Sequence, residues 1–204
     1  MPLEIIPFMG RGASCNCYVL WDGNQSAIID TGCDVRIQNR LIEEDIAPEK
    51  INFVINTHCH ADHTGCNDLF TDAHIFIHEA DAKAVEDGMD SVTFADDFRV
   101  EVIPKVDGLL HDKDVIRLGD NELKIIHTPG HTAGSICVLV GDSLFSGDTI
   151  FAEGVGRTDL PTGNAEKMVE SLKKIHSLRF ANLYPGHGPT STKEKISTVT
   201  SRFY

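Results

Sequence analysis

Thr57-His58-Cys59-His60-Ala61-Asp62-His63 places three imidazoles and one carboxylate within six consecutive residues, His58 to His63. Each of these groups is a strong ligand for zinc or iron. His58 and His60 are two apart, so on an extended segment they share a side and can chelate one ion, while Cys59 points away from them. Four ligands in six residues are too crowded to close one tetrahedral site. Two neighbouring cations relieve the crowding, with Asp62 and His63 leaning toward the second at the onset of a helix. Each ion still lacks ligands, and His131, Asp148 and His187 are available farther along the chain. A carboxylate such as Asp148 can bridge two cations about 3.5–4 Å apart, the spacing of dinuclear hydrolytic sites.

These residues need elements that bring them together. Apolar segments predict strands at Leu3–Phe8, Cys15–Trp21, Ser26–Asp30, Asn52–Asn56, His74–Ile77, Val115–Leu118, Leu123–His127, Ser135–Val140, Leu144–Ser146 and Asn182–Tyr184. Amphipathic stretches predict helices at Val35–Ile46, Glu79–Glu86 and Asn164–His176, the first two followed by Pro48 and Gly88 as terminators. Another helix is expected after Asp62, ending near Phe70. This alternation signals an α/β class. Four strands run directly into turns that bear His or Asp: Thr57-His58, His127-Thr128-Pro129-Gly130-His131, Gly147-Asp148 and Pro185-Gly186-His187. Side chains at the carboxyl ends of strands can converge on one cleft.

Composition narrows the partners. The 204 residues are within the range of one domain, read here as spanning 1–204. The net charge of −13 offers no basic footprint for nucleic acid. No apolar run approaches a membrane span, and Met1 to Gly10 lacks a secretory layout, which predicts a cytoplasmic protein. The six cysteines form no C-x-x-C pair and are expected to be reduced, with Cys15 and Cys17 buried on one side of a strand. His74, His78, His111, His127 and His176 fall outside the motif and are expected to be surface or core residues. Asp30 in Ile29-Asp30-Thr31-Gly32 is expected to orient a metal-bound histidine or its loop. Ser14, Ser135 and Ser146 lack a G-x-S-x-G setting, which argues against a serine triad.

The run Thr57 to His63, followed by separate His131, Asp148 and His187, resembles the hallmark of the metallo-β-lactamase fold family. The likeness extends over nearly the whole chain and includes Ile29-Asp30-Thr31-Gly32 and His127-Thr128-Pro129-Gly130-His131-Thr132. It implies a four-layered αββα sandwich of two similar halves. It also implies that His58, His60 and His131 hold a first metal and Asp62, His63 and His187 a second, with Asp148 bridging. The resemblance predicts two divalent ions: zinc first, iron or manganese also accepted.

Ser146-Gly147-Asp148-Thr149-Ile150-Phe151, Gly154 to Leu160 and Pro185-Gly186-His187-Gly188-Pro189 are more closely similar to single-domain relatives of hydroxyacylglutathione hydrolase, as is the tail Thr190–Ser197. The reaction this implies is hydrolysis of a small thioester, with Asp62 orienting a metal-bound hydroxide. Two-domain glutathione hydrolases carry a C-terminal helical domain whose basic residues grip glutathione. Here Arg157, after Gly154-Val155-Gly156, is the remaining candidate for an anionic substrate group. Two alternatives stay open. One is a persulfide dioxygenase of the same superfamily, with one iron on His58, His131 and Asp148; the other is a non-catalytic, metal-stabilised binding module.

Overall fold

Alternate residues along the strands face two different apolar environments, and that alternation stacks the layers. The computed structural model describes residues 3–101, 103 and 105–201. In the first half, β1 (Glu4–Phe8), β2 (Cys17–Trp21), β3 (Ser26–Ile29), β4 (Phe53–Ile55), β5 (His74–His78) and β6 (Gly108–Leu110) form a six-stranded sheet in that order. Its first three strands are antiparallel, and β3 to β6 are parallel. The second half contributes β7 (Val115–Leu118), β8 (Asn121–His127), β9 (Ile136–Val140), β10 (Ser143–Gly147), β11 (Asn182–Pro185) and β12 (Ser191–Thr192). They lie in the order β12-β11-β10-β9-β8-β7, antiparallel except for the parallel β10–β11 pair.

Tyr18, Leu20, Ala27, Ile29 and Ile55 of the first sheet pack in one cluster with Leu123, Ile125, Ile136, Val138 and Phe145 of the second. Their strand neighbours turn the other way, as a period of two requires. Val19, Ile28, Val54 and Ile75 pack with Ile37 and Leu41 of α1 (Ile37–Glu43). Ile126, Cys137, Leu144 and Leu183 pack with Met168, Leu172 and Ile175 of a helix over Ala165–Ser177 and with Ile196 of another over Lys193–Thr200. The layers are therefore helix, sheet, sheet and helix, the αββα arrangement expected from the resemblance.

The helix over Ala165–Ser177 shows why local sequence suffices in places. Asn164 accepts a hydrogen bond from the Lys167 N–H at 2.9 Å, capping the first turn. Met168, Ser171, Leu172 and Ile175 then recur at three- and four-residue intervals as its buried face. Elsewhere the expectations ran long or missed. The first helix spans Ile37–Glu43 rather than Val35–Ile46. The helix expected after Asp62 is broken into α2 (Ala61–Thr64) and a 3₁₀ turn at Asn67–Leu69. Gly65 sits at the break, where an added Cβ would lie 2.6 Å from the Ala61 carbonyl and 2.9 Å from Val100. After α3 (Glu79–Glu86), two four-residue helices, α4 (Asp90–Thr93) and α5 (Ala95–Phe98), were not anticipated, nor were β6, β12 and the Lys193–Thr200 helix. In the same numbering, Ala165–Ser177 is α6 and Lys193–Thr200 is α7. Among the described residues, no helix is long and apolar enough to cross a membrane.

Phe145 is fully buried between the sheets, stacked on Tyr184 at 4.9 Å between centroids and tilted against Tyr18 at 5.3 Å. Phe145→Ala should cost about 3–5 kcal/mol through lost burial and a residual cavity. Urea denaturation reads this as a lowered midpoint at constant slope; a loss below about 1 kcal/mol would contradict this packing.

Candidate metal centre

Every residue of the proposed ligand set leaves a strand at the same end of the sandwich. β4 stops at Ile55, and the chain continues through Asn56 and Thr57 to His58 and His60, the latter extended at φ −64°, ψ 143° as the N-cap of α2. α2 carries Asp62 and His63. His131 follows β8, Asp148 follows β10, and His187 follows β11. Six of the seven side chains are buried, and His187 is half-buried.

The seven converge. His60 Nδ1 lies 3.1 Å from His58 Nε2 and 3.0 Å from His131 Nε2. His187 Nε2 lies 3.0 Å from Asp62 Oδ2, and His63 Nε2 lies 3.7 Å from the same oxygen. Two triplets result, His58/His60/His131 and Asp62/His63/His187, each with ligand atoms mutually within 4.8 Å. Asp148 lies between them. Its Oδ1 is 3.3 Å from His63 Nε2, and its Oδ2 is 3.6 Å from both His131 Nε2 and His187 Nε2.

The protonation pattern favours a cation at the centre. His63 Nδ1 donates to Asp30 Oδ2 at 2.8 Å, and His131 Nδ1 donates to the Arg157 carbonyl at 2.8 Å. Both Nε2 atoms are thereby turned inward. His60 Nε2, His63 Nε2 and Asp148 Oδ1 are buried without a hydrogen-bond partner, a costly arrangement for polar atoms. Burial, with His63 alongside, holds His58 well below the usual imidazole range, and burial with His131 nearby brings His60 to about 3. Neutral imidazoles bind a cation without first losing a proton. Burial would also lower His63, but the Asp30, Asp148 and Asp62 carboxylates outweigh it and raise the group. Burial opposes ionisation of Asp148, yet His63, His187 and His131 keep its carboxyl well below the usual range. The donor set of imidazoles and carboxylates suits zinc, iron or manganese. Gly186 completes the cradle: an added Cβ there would collide with Asp148 Oδ1 and come within 2.7 Å of His63 Cε1.

A surrounding layer fixes these groups. Asp30, at φ +56° in the left-handed region, accepts from the Thr57 N–H, the Thr57 hydroxyl and His63 Nδ1, each at 2.8 Å. Asp81 on α3 does the corresponding work for the other triplet. It accepts from the Cys59 N–H at 3.0 Å, the Thr132 hydroxyl at 2.7 Å and the Gly134 N–H at 2.6 Å, joining the two loops that carry His58, His60 and His131. Asn16 and Tyr18 donate to the Pro185 carbonyl at 3.0 and 2.7 Å, and Asn16 also donates to Gly188 at 2.9 Å, holding the His187 turn.

Other sequence expectations have definite outcomes. Asp30 orients His63, as expected. Cys59 packs with Ile77, Ala82 and Val85, away from the ligand cluster. Cys15 and Cys17 lie together in the core between the first sheet and α1, and burial, with Cys17 and the Asp30 carboxylate adding to it, pushes the Cys15 thiol well above its usual range. His127 stacks on His78 at 3.9 Å and is not part of the cluster. Arg157 lies at the rim of the recess that opens onto the cluster. Its exposed guanidinium forks onto Asp159 with two 2.8 Å hydrogen bonds, while its carbonyl orients His131. Asp81 was missed. The available signal was a carboxylate on the buried face of α3, beside Ala82 and Val85.

Residues 10–187 match the family described as the Metallo-beta-lactamase superfamily. A probable metallo-hydrolase of Methanocaldococcus jannaschii is 37% identical over 95% of this chain and 97% of its own. A human acyl-coenzyme A thioesterase is 28% identical over 96% of this chain and 81% of its own. A hydroxyacylglutathione hydrolase of Haemophilus influenzae is 29% identical over 94% and 93%. Among solved structures, a B3 metallo-beta-lactamase superposes with a TM-score of 0.83 at 27% identity, covering 99% of both chains. A protein crystallised in a di-iron-bound form gives 0.80 at 26% identity, covering 94% of this chain and 96% of its own.

The two outer carboxylates should be separable by metal titration. Asp81→Ala should weaken the cation at His58/His60/His131 by about 10–100-fold, and Asp30→Ala should do the same at Asp62/His63/His187. Competition with a chromophoric chelator, on variants shown folded by circular dichroism, measures both steps. Equal loss at both steps in each variant would contradict this division.

Proposed function

The chain belongs to the metallo-beta-lactamase superfamily, and we propose that it is a metal-dependent hydrolase that cleaves a small thioester at a dinuclear centre. The observation that carries this reading is Asp148, which lies between the triplets: its Oδ2 is 3.6 Å from both His131 Nε2 and His187 Nε2, and its Oδ1, 3.3 Å from His63 Nε2, is buried without a hydrogen-bond partner. His58, His60 and His131 would hold one ion, Asp62, His63 and His187 the other, with Asp148 shared. Zinc is the cation assigned here. Such a pair polarises a carbonyl and brings the pKa of bound water toward about 7. A single-iron dioxygenase would need only His58, His131 and Asp148, and would leave the second triplet without a use.

The chain's own residues supply positioning. Asp62 combines burial with a place on the floor of an open recess, so its carboxylate can accept a hydrogen bond from the attacking water. Asp30 and the Arg157 carbonyl keep His63 and His131 in the tautomer whose Nε2 faces inward. In the reaction a C–O bond forms and the C–S bond breaks. One water proton ends on the departing thiolate and the other passes to solvent as the acid ionises. A thiol leaving group, with a reference pKa near 8.5, needs little acid assistance. The named activities of the thioesterase and hydroxyacylglutathione hydrolase relatives support a thioester, hydroxyacyl-glutathione being the type the sequence motifs favour.

Two ions per chain should be found by metal analysis of zinc-loaded protein, with His187→Ala losing chiefly the Asp62/His63 ion and His131→Ala the other. Asp62→Asn should lower kcat by at least about 100-fold, with little change in the affinity of a non-hydrolysable thioester analogue, because its contacts matter most in the transition state. Near-native kcat with a raised KM would remove Asp62 from that role. Rapid oxygen uptake with a persulfide, and no thioester turnover with zinc, iron or manganese, would overturn the hydrolase reading.

A further inference from the structure

A recess of about 280 Å³ opens directly onto the metal centre. Its floor is His60, Asp62, His131 and Asp148, and its walls are Phe94, Phe98 and Leu160. All three wall residues are half-buried, so they present apolar surface at the one place where reacting groups must enter. Phe94 is the N-cap of α5 and Phe98 its last residue, and both rings line the recess.

The wall is held in place. Phe94 adopts φ +59°, a left-handed conformation that is costly for an aromatic residue and persists only where its surroundings enforce it. Just before it, Val92 is buried with Cys59, Ile77 and Val85, behind the ligand loop. The Phe94 N–H donates to the Asp90 carbonyl at 2.8 Å, and the Asp96 N–H to the Asp90 carboxylate at 2.8 Å. The Phe94 ring then stands edge-on to His60, 5.3 Å between centroids.

Charge at the rim points the same way. Asp97 also lines the recess, and the Arg157 guanidinium, at the same rim, is paired with Asp159. An anionic acyl tail lying along these walls would meet Asp97, while the Arg157 side chain is already engaged by Asp159. A second cleft, of about 250 Å³, adjoins the other end of the centre at His187, bordered by Phe151, Glu153 and Pro189. A thioester whose carbonyl lies at the metals can thus place one arm in each.

We propose that the Phe94–Phe98–Leu160 recess is the acyl pocket and selects an uncharged, apolar acyl chain, the thiol carrier leaving past His187. This rests on the thioester reading but departs from the hydroxyacyl group that the sequence motifs favour, assigning short- or medium-chain aliphatic acyl thioesters as the substrate class.

The test uses zinc-loaded protein and acetyl, butanoyl, hexanoyl and succinyl thioesters of one uncharged thiol, N-acetylcysteamine. One methylene in an enclosed apolar pocket changes kcat/KM by about tenfold or more, and the half-exposed walls here dilute that effect. The value should rise about tenfold from acetyl to hexanoyl and fall about tenfold from butanoyl to succinyl. Phe98→Ala and, independently, Leu160→Ala should each reduce the hexanoyl-to-acetyl ratio at least about threefold. Calorimetry with the corresponding ketone analogues, in which CH2 replaces sulfur, reads the pocket without turnover. Tighter binding of the hexanoyl analogue with no hydrolysis of any thioester would sustain the apolar pocket while removing the thioesterase reading. A flat chain-length series, a preference for succinyl, or an unchanged ratio in both variants would overturn the proposal.

Discussion

The hydrogen bond from His63 Nδ1 to Asp30 Oδ2, 2.8 Å long, fixes the His63 ring so that Nε2 faces Asp148 across 3.3 Å. His131 repeats the device with the Arg157 carbonyl. Imidazole nitrogens and carboxylates thus converge on one point, and the buried negative charge there demands a positive partner, which is why the carboxylates raise the proton affinity of His63. A bound cation supplies that partner, so metal affinity and folding stability become parts of one equilibrium. The strained φ of Asp30 belongs to the same balance: its left-handed backbone aims one carboxylate at Thr57 and His63 together.

The outer carboxylates divide the work by distance along the chain. Asp30 closes a link between the end of β3 and the Thr57–His63 segment, within one sheet. Asp81 acts across the sandwich, tying the Cys59 backbone to the Thr132 hydroxyl and the Gly134 N–H. The His58/His60/His131 triplet draws residues from both halves, so it needs a bond that spans them. A direct backbone bond, Ile136 N–H to the Thr57 carbonyl at 2.9 Å, reinforces the same junction.

The ligand cluster was legible because its members are dense in sequence or follow apolar strands that end in Gly or Thr turns. All ten expected strands exist, since a period of two with β-branched residues is a local signal. What escaped is short or depends on distant partners. β12 has two residues, and α4 and α5 have four each, too few to show a helical period. β6 gains strand character through its parallel pairing with β5. Asp81 lies in the first turn of α3, where acidic residues commonly interact with the helix dipole, so its sequence position does not reveal its three buried donors. Phe94 and Phe98 read as ordinary apolar residues, because nothing local shows which face opens onto His60.

Strand order decides why Asp148, rather than another carboxylate, can serve both triplets. In the second sheet, β10 lies between β11, which leads to His187, and β9, beyond which β8 leads to His131. A residue at the end of β10 therefore has one potential partner on each side, and His63 approaches from the opposing sheet. An acid at the end of an edge strand would have neighbours on one side only. The Gly147–Pro185 pairing, with its register shift after Phe145, brings the β10 and β11 turns together. Gly186 then keeps the gap free of any side chain. Beneath them, Tyr18, Phe145 and Tyr184 form an aromatic cluster that sets the separation of the sheets, and Tyr18 bonds the Pro185 carbonyl. Ligand spacing at the surface is thus a consequence of core packing about one side chain below it.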